Sequence, residues 1–358
     1  MSGLMPGDLD RPSGLLDRLH TRETADPMTP PVVNSLPRAM LSYASPESGR
    51  SLRREDDALV SEEGGRYPVV DGIPRFVSTE GYAAAFGHEW NIHALTQLDS
   101  RTGTSISRKR LERCLGMPLE GLRGQLVFEA GAGAGRFTEL LVAAGALVHA
   151  IDLSTAVDAN RKNIGPHENY AIAQADLRRP PYPPRSFDVV LCLGVLQHTP
   201  DPEQSIQVLW EFVRPGGLFV TDHYTWSLSR VTTLAWLYRL YLRRLPPERA
   251  KSITDSLVDV FFPLHWRVRR FFPAQALLSR ISPCHFYFRS FPHLTKEQLF
   301  EFARLDTYDS LTDRYKHLRT QGQIRQTLRA LGAVGVEVWR GGNGVEARCR
   351  RPSDGSGG

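Results

Sequence analysis

The residues best suited to chemistry lie in "LVFEAGAGAGRFTEL", Leu126 to Leu140. Gly131, Gly133 and Gly135 alternate with alanines, Ala132 among them, directly after an apolar run. Glycines at a strand-to-helix turn let a ligand approach the backbone closely. Their spacing narrows the ligand. A dinucleotide fingerprint wants its third glycine at position 136, where this chain has Arg136. A phosphate-cradling P-loop wants Gly-Lys-Ser/Thr, which is missing here. Glu129 stands two positions before the first glycine. A carboxylate there repels a pyrophosphate and suits a cationic group. Asp152, 21 positions after Gly131, closes the next apolar run. An acid at that place accepts hydrogen bonds from ribose hydroxyls. The ligand so described has a ribose, a positive head and no required phosphate, and S-adenosyl-L-methionine fits. The competing readings are plainer: glycines that only ease packing, and Asp152 as a helix-start carboxylate.

The elements that must position these residues alternate in the α/β manner from Gln125 to Asp222. "QLVFEA" reads as a buried strand and "AGRFTELLVAAG" as a helix. "ALVHAID" is a second strand, and "STAVDANRKNI" a second helix with Ser154 as its N-cap. "YAIAQAD" and "SFDVVLCLGVLQH" are the third and fourth strands, so His198 ends the fourth. "DPEQSIQVLWEFV" is helical, "RPGG" a turn and "LFVTDHY" a fifth strand. Near the C-terminus, "QIRQTLRALGA" is helical, and "VGVEVWRGGNGVEARCR" reads as two strands around a glycine-rich turn. The expected fold is α/β: a doubly wound, mostly parallel seven-stranded sheet with a C-terminal antiparallel hairpin. To it are added a helical lid insertion and a small N-terminal β-rich unit.

The divisions expected along the chain are 1–38, a Pro/Ser/Thr-rich disordered lead; 39–78, the β-rich unit; and 79–120, N-terminal cap helices. There follow the ligand-binding core at 121–224, the lid at 225–324, the end of the core with its hairpin at 325–351, and a loose tail at 352–358. A net charge of +5 over 358 residues gives no footprint for nucleic acid. The four cysteines lie far apart with no CxxC pair, so neither a metal site nor a disulfide framework is expected. The sequence shows neither a targeting leader nor a membrane-length apolar run, and a cytoplasmic location is the expectation.

Taken together, "FEAGAGAGRF", "AID", "QADLRRPPYPPRSFDVVLCLGVLQHTPDP" and "LWEFVRPGGLF" resemble the successive motifs of the Rossmann-like (class I) S-adenosylmethionine-dependent methyltransferases. The resemblance covers residues 121–224 and, through the hairpin, 325–350. It implies S-adenosyl-L-methionine as cofactor. Gly131, Ala132, Gly133 and Gly135 would pass under its methionine and ribose, and Glu129 would orient the loop or the ammonium. Asp152 with Leu153 would hold the ribose, Asp176 and Leu177 would meet the adenine edge, and Leu193 to Gln197 would line the methionine side. Upstream, "LSYASPESGRSLRREDDALVSEEGGRYPVVDGIPRFV" is similar to the small zinc ribbon that precedes many such enzymes. Ser45 and Ser48 stand where the ribbon has cysteines, and a serine is no workable zinc ligand, so a metal-free remnant is expected. "FGHEW", "TQLDS" and "FARLDTYDSLTDRY" resemble a bacterial small-molecule subgroup, which places the chain among sugar, envelope or secondary-metabolite chemistry without fixing an acceptor.

Methyl transfer needs alignment of acceptor, methyl and sulfur, and exclusion of water. A hydroxyl acceptor also benefits from a base. His198 is the first candidate and Tyr224 the next. Candidate acceptor contacts are Trp90, Gln97 and Asp99 from the cap, His223 from the fifth strand, and Arg230, Tyr308 and Tyr315 from the lid. For each of these, helix capping or solvation competes with acceptor binding. Residues 225–290 hold eleven Lys/Arg against three Asp/Glu. That balance allows a plain helical cap, a pocket for an anionic acceptor, or weak peripheral contact with an anionic membrane. The partner expected is a small-molecule acceptor, and a homodimer stays open. The alternatives in function are a methyltransferase fold turned to another reaction such as cyclisation, and a non-enzymatic scaffold that activates a partner.

Overall fold

Apolar runs separated by helices can lie in one sheet only as parallel strands with crossovers on its faces, and the computed structural model has that arrangement over most of its sheet. It describes residues 40–77, 93–226, 233–342 and 344–354. The main sheet has β5 (Leu126–Ala130), β6 (Leu147–Asp152), β7 (Tyr170–Gln174), β8 (Phe187–Cys192), β9 (Val213–Tyr224), β10 (Val334–Gly341) and β11 (Gly344–Arg350). Their order is β10-β11-β9-β8-β5-β6-β7. β5 to β9 pair in parallel, and β11 lies antiparallel to both β9 and β10. The fold is therefore the expected α/β sheet closed by an antiparallel hairpin.

Strand alternation sorts the side chains between two cores. Leu126, Phe128 and Ala130 of β5 enter one, with Ile206 and Leu209 of α5 (Pro202–Glu211) and Ile324 and Leu328 of α10 (Gln321–Ala330). Val127 enters the other, with Leu111 of α2 (Ile106–Leu115), Leu141 of α3 (Thr138–Ala143) and Val157 of α4 (Ala156–Ile164). Glu129, two residues after Val127, thus faces α3. By the same alternation Asp222 and Tyr224 follow Val220 on the α2–α3 side, whereas His223 follows Phe219 on the α5–α10 side.

Several boundaries differ from expectation. β8 ends at Cys192, and Leu196–His198 is a single 3-10 turn, so His198 is not on the strand. Gly194, at φ +80°, turns the chain there, and its N–H is held by Asp222 Oδ1 at 2.6 Å. The helix after the glycine loop begins only at Thr138. Ser154 is not the N-cap of α4: Thr155 takes that position, while the Ser154 hydroxyl donates to Asp152 and accepts from Ala156 N–H. The expected turn at Arg214–Gly217 lies inside β9 as an irregularity between the pairs Phe187↔Val213 and Val189↔Leu218.

The N-terminal unit is a four-stranded antiparallel sheet of β1 (Arg53–Glu55), β2 (Ala58–Val60), β3 (Arg66–Val70) and β4 (Ile73–Pro74). Asp71 and Gly72, at φ 52° and 76°, make the two-residue turn that the Asp-Gly pair predicts. The unit covers the β7 edge: Phe76 N–H donates to Gln174 O at 2.8 Å, and Leu41 N–H donates to His149 Nε2 at 3.1 Å. Where the resemblance would place metal ligands, Ser45 Oγ accepts from the N–H groups of Glu47 and Ser48, both at 3.3 Å. Glu47 also accepts from the Tyr67 hydroxyl. The insertion is helical: α6 (Ala235–Leu242), α7 (Pro247–Val268), α8 (Phe272–Ile281) and α9 (Lys296–Thr312). Val258, Phe262, Cys284, Leu299 and Phe302 give it a core of its own.

Candidate active site

The glycine loop is stitched to β6 through the backbone. Gly131 and Ala132 N–H donate to Ile151 O at 2.8 and 2.9 Å. Gly133 N–H donates to Asp152 Oδ2 at 2.9 Å, and Ser154 donates to Asp152 Oδ1 from N–H at 2.9 Å and from Oγ at 2.7 Å. A carboxylate offers roughly four lone-pair positions, so Oδ2 keeps capacity for a ribose hydroxyl. Burial raises the Asp152 carboxyl above its ordinary value, opposed by these three bonds. Leu153 holds the far side of the turn, its carbonyl accepting from Gln174 Nε2 at 3.0 Å. Gly131 has φ +82°, and a Cβ on it would enter the Val195 side chain. Only glycine fits that approach of loop to loop.

Glu129 is 3% exposed and accepts from Thr138 Oγ1 at 2.7 Å. No ion pair reaches it among the described residues. Burial pushes its carboxyl up to about 8, and the nearby Asp152 charge adds to the rise. A buried acid without a counter-charge beside a glycine cradle is a fit for a ligand's cationic group. Asp176 is more encumbered. Arg178 grips its carboxylate through Nε at 3.1 and 3.0 Å and Nη2 at 2.6 Å. An adenine edge would share Asp176 with that arginine, beside Leu177, which is 8% exposed.

Arg136, the residue that replaces the third dinucleotide glycine, ties the loop to the cap and the insertion. It donates to Gln97 Oε1 from Nη1 and to Ser107 Oγ from Nε, each at 2.9 Å. Burial, then the neighbouring Arg110 charge, pulls it down to about 10. Gln97 Nε2 reaches Asp306 Oδ1 of α9 at 3.5 Å, and Asp306 also accepts from the Tyr287 hydroxyl. Gln97 is thus placed as a bridge. Asp99 is a helix-capping residue: it accepts from the N–H groups of Ser107 at 3.0 Å and Arg108 at 2.8 Å at the start of α2. Asp222 pairs with Arg110 of the same helix and holds the turn after β8.

His198 stands on that turn, 8% exposed. Its Nδ1 lies 3.1 Å from Asp313 Oδ2 and 3.3 Å from Tyr315 O. The Tyr315 carbonyl can only accept, so the proton sits on Nδ1, and the lone pair of the neutral ring is then on Nε2. Burial lowers the imidazole below its ordinary value, Asp309 and the Tyr315 carbonyl oppose this, and Lys316 and Arg239 reinforce it. Asp313, 2% exposed, is the hub, with Arg239 paired to it and Lys316 Nζ at 3.6 Å. The Tyr224 ring meets the His198 ring edge-on at 5.4 Å. Tyr315 contributes its carbonyl, and its ring stacks on His317 at 6.2 Å.

The other expected contacts scatter. His223 lies on the opposite face from Asp222 and Tyr224, fully buried, with neither ring nitrogen hydrogen-bonded among the described residues, and burial takes it down to about 4. Tyr308 is buried, its hydroxyl toward Pro247 O at 3.5 Å. Leu193 is buried, and the Gln197 amide is buried with neither end hydrogen-bonded among the described residues. Trp90 and Arg230 lie outside the described residues. Sequence reasoning missed Asp313, Arg136 and Tyr287. Asp313 had a signal in "FARLDTYDSLTDRY", but nothing local set it apart from Asp306 or Asp309.

Residues 128–221 match the family described as a methyltransferase domain. A ubiquinone biosynthesis O-methyltransferase of Cupriavidus pinatubonensis is 39% identical over 105 residues, 28% of this chain and 41% of that protein. One of Psychrobacter arcticus is 33% identical over 151 residues, 39% of this chain and 57% of that protein. The chain thus spans about half or less of the length of these curated relatives. Among solved structures, the 1,6-didemethyltoxoflavin-N1-methyltransferase of Burkholderia thailandensis is 14% identical, with a TM-score of 0.40 over 84% of this chain and 99% of that one. The fold is read from the strand order itself. That order is of the Rossmann-like type, and residues 128–221 within it carry the match to the methyltransferase-domain family.

Proposed function

We propose that the chain transfers a methyl group from S-adenosyl-L-methionine to an oxygen of a small-molecule acceptor. The observation that carries the reading is one geometry: a glycine loop pinned by Asp152, a buried acid at Glu129, and the His198–Asp313 pair on the turn after β8. The cofactor, when bound, supplies an electrophilic methyl on a sulfonium. Glu129 would face its ammonium, Asp152 would take a ribose hydroxyl, and Asp176 with Leu177 would border the adenine. His198 Nε2 takes the proton of an acceptor hydroxyl, the Tyr315 carbonyl holds the ring in the tautomer that allows it, and the nearby Asp313 carboxylate offsets the charge the ring gains. Arg136, Gln97 and Asp306 hold loop, cap and insertion together and so keep water from the reacting centre. The matched relatives carry O-methyltransferase names, which supports oxygen as the acceptor atom.

Arg239 and Lys316 beside His198 favour a second version, a carboxylate acceptor that needs no base. The test is transfer of labelled methyl from S-adenosyl-L-methionine to metabolites extracted from a strain lacking the protein. A labelled small molecule absent from boiled-protein controls supports the reading, and label that stays with the donor across all extracts refutes it. Full turnover in His198→Ala with a raised acceptor KM in Arg239→Gln marks a carboxylate acceptor. Lost turnover in His198→Ala marks a hydroxyl.

A further inference from the structure

Helix α6 has two unlike faces. Inward, Arg239 pairs with Asp313 and so adjoins His198. Outward, Trp236, Leu237, Leu240 and Tyr241 fall at helical spacing on one side, Trp236 being 53% and Tyr241 55% exposed. Helix α8 also exposes large side chains, Leu277 at 65% and Ile281 at 47% on one side and Phe272 at 63% at its start. The two helices meet: Leu234 N–H, at the start of α6, donates to Arg280 O, at the end of α8, at 2.8 Å. Large side chains exposed together on adjoining helices mark an interaction surface rather than ordinary surface scatter. The charges beside them have one sign. Arg243 and Arg244 follow the α6 stripe, and Arg267, Arg270 and Arg280 flank α8, all exposed. No described helix is long and apolar enough to cross a membrane. Apolar and aromatic side chains with arginines at their margin are instead the pattern of helices that lie in a membrane interface.

We propose that the outer face of α6 and α8 docks on an anionic lipid bilayer. Trp236, Leu237 and Leu277 would enter the headgroup boundary, and the arginines would meet lipid phosphates. The exposed arginines match a continuous anionic surface, and a second copy of this chain would bring the same arginines against each other. The inward face of α6 would then set the reaction centre directly behind the membrane, so acceptors held in that membrane come within reach. The proposal does not depend on methyl transfer, because docking needs neither cofactor nor acceptor.

Vesicle flotation of the full chain tests it, with vesicles of phosphatidylcholine alone and of phosphatidylcholine with phosphatidylglycerol. Binding to the anionic vesicles only, weakened by added salt, is expected. Trp236→Ser with Leu277→Ser should weaken it by about tenfold or more, and Arg243→Glu with Arg244→Glu should weaken it while leaving far-ultraviolet circular dichroism unchanged. Failure to float with anionic vesicles, or equal binding to neutral ones, would overturn the proposal. So would a concentration-dependent dimer that the Trp236→Ser, Leu277→Ser pair dissociates, which would assign the face to self-association.

Discussion

Glu129 is a carboxyl whose environment favours the neutral form until a cation arrives. With its value near 8 in the free protein, most copies carry a proton at neutral pH. An ammonium-bearing ligand favours the ionised form and drives that proton out. Affinity for S-adenosylhomocysteine should therefore rise with pH up to about 8 and then level. Calorimetry in two buffers of different ionisation enthalpy should register proton release at pH 7, and Glu129→Gln should abolish it. His198 behaves in the opposite sense. Burial lowers it, so its neutral, basic form persists to lower pH than an exposed histidine's, and turnover on a hydroxyl acceptor should fall only on the acid side of the ordinary range. His198→Ala should lower that turnover by ~10²–10⁴-fold with S-adenosylhomocysteine affinity nearly unchanged. Asp313→Asn removes the carboxylate that lies 3.1 Å from the His198 ring and would support the imidazolium. The acid limb of the kcat profile should then move to still lower pH, a shift that a merely structural role would not produce.

Between elements, the glycine loop is the tightest joint. Gly131→Ala would have to displace Val195 and hold alanine at a positive φ, so cofactor binding should be lost in a titration while the protein stays folded by circular dichroism. The N-terminal sheet makes a separate prediction. The Ser45–Ser48 turn is closed by the Ser48 N–H donating to Ser45 Oγ, and Tyr67 donates to Glu47 beside it. Purified protein should carry no stoichiometric zinc by elemental analysis, and one tightly held zinc per chain would contradict this. The glycine loop, Glu129 and Asp152 could be placed from the sequence because they fall within one strand–helix–strand unit, from β5 to β6. His198 could be read only as a neighbour of β8, because Gly194 and Asp222 end that strand early through a contact between strands. The joint of Arg136, Gln97 and Asp306 could not be read, since its partners lie 39 and 209 positions apart. Asp99 shows the converse: an acid beside a helix start, offered for acceptor binding, whose bonds go to the backbone of α2.

At the scale of the molecule, a sheet of known type carries an insertion that supplies Asp313 and Arg239 to its reactive edge. Sheet order follows from alternation of apolar runs and helices, which sequence displays directly. The insertion has no such grammar, and helical spacing identifies its elements without saying which face turns inward. The ligand of the sheet's glycine loop is identified by isothermal titration of the purified chain with S-adenosylhomocysteine, NAD and ATP, beside Asp152→Ala. Saturable binding of S-adenosylhomocysteine alone is expected. Asp152→Ala should weaken it about tenfold or more, since each charge-assisted hydrogen bond contributes roughly 1.5–3 kcal/mol. A chain that binds NAD and ignores S-adenosylhomocysteine would contradict it.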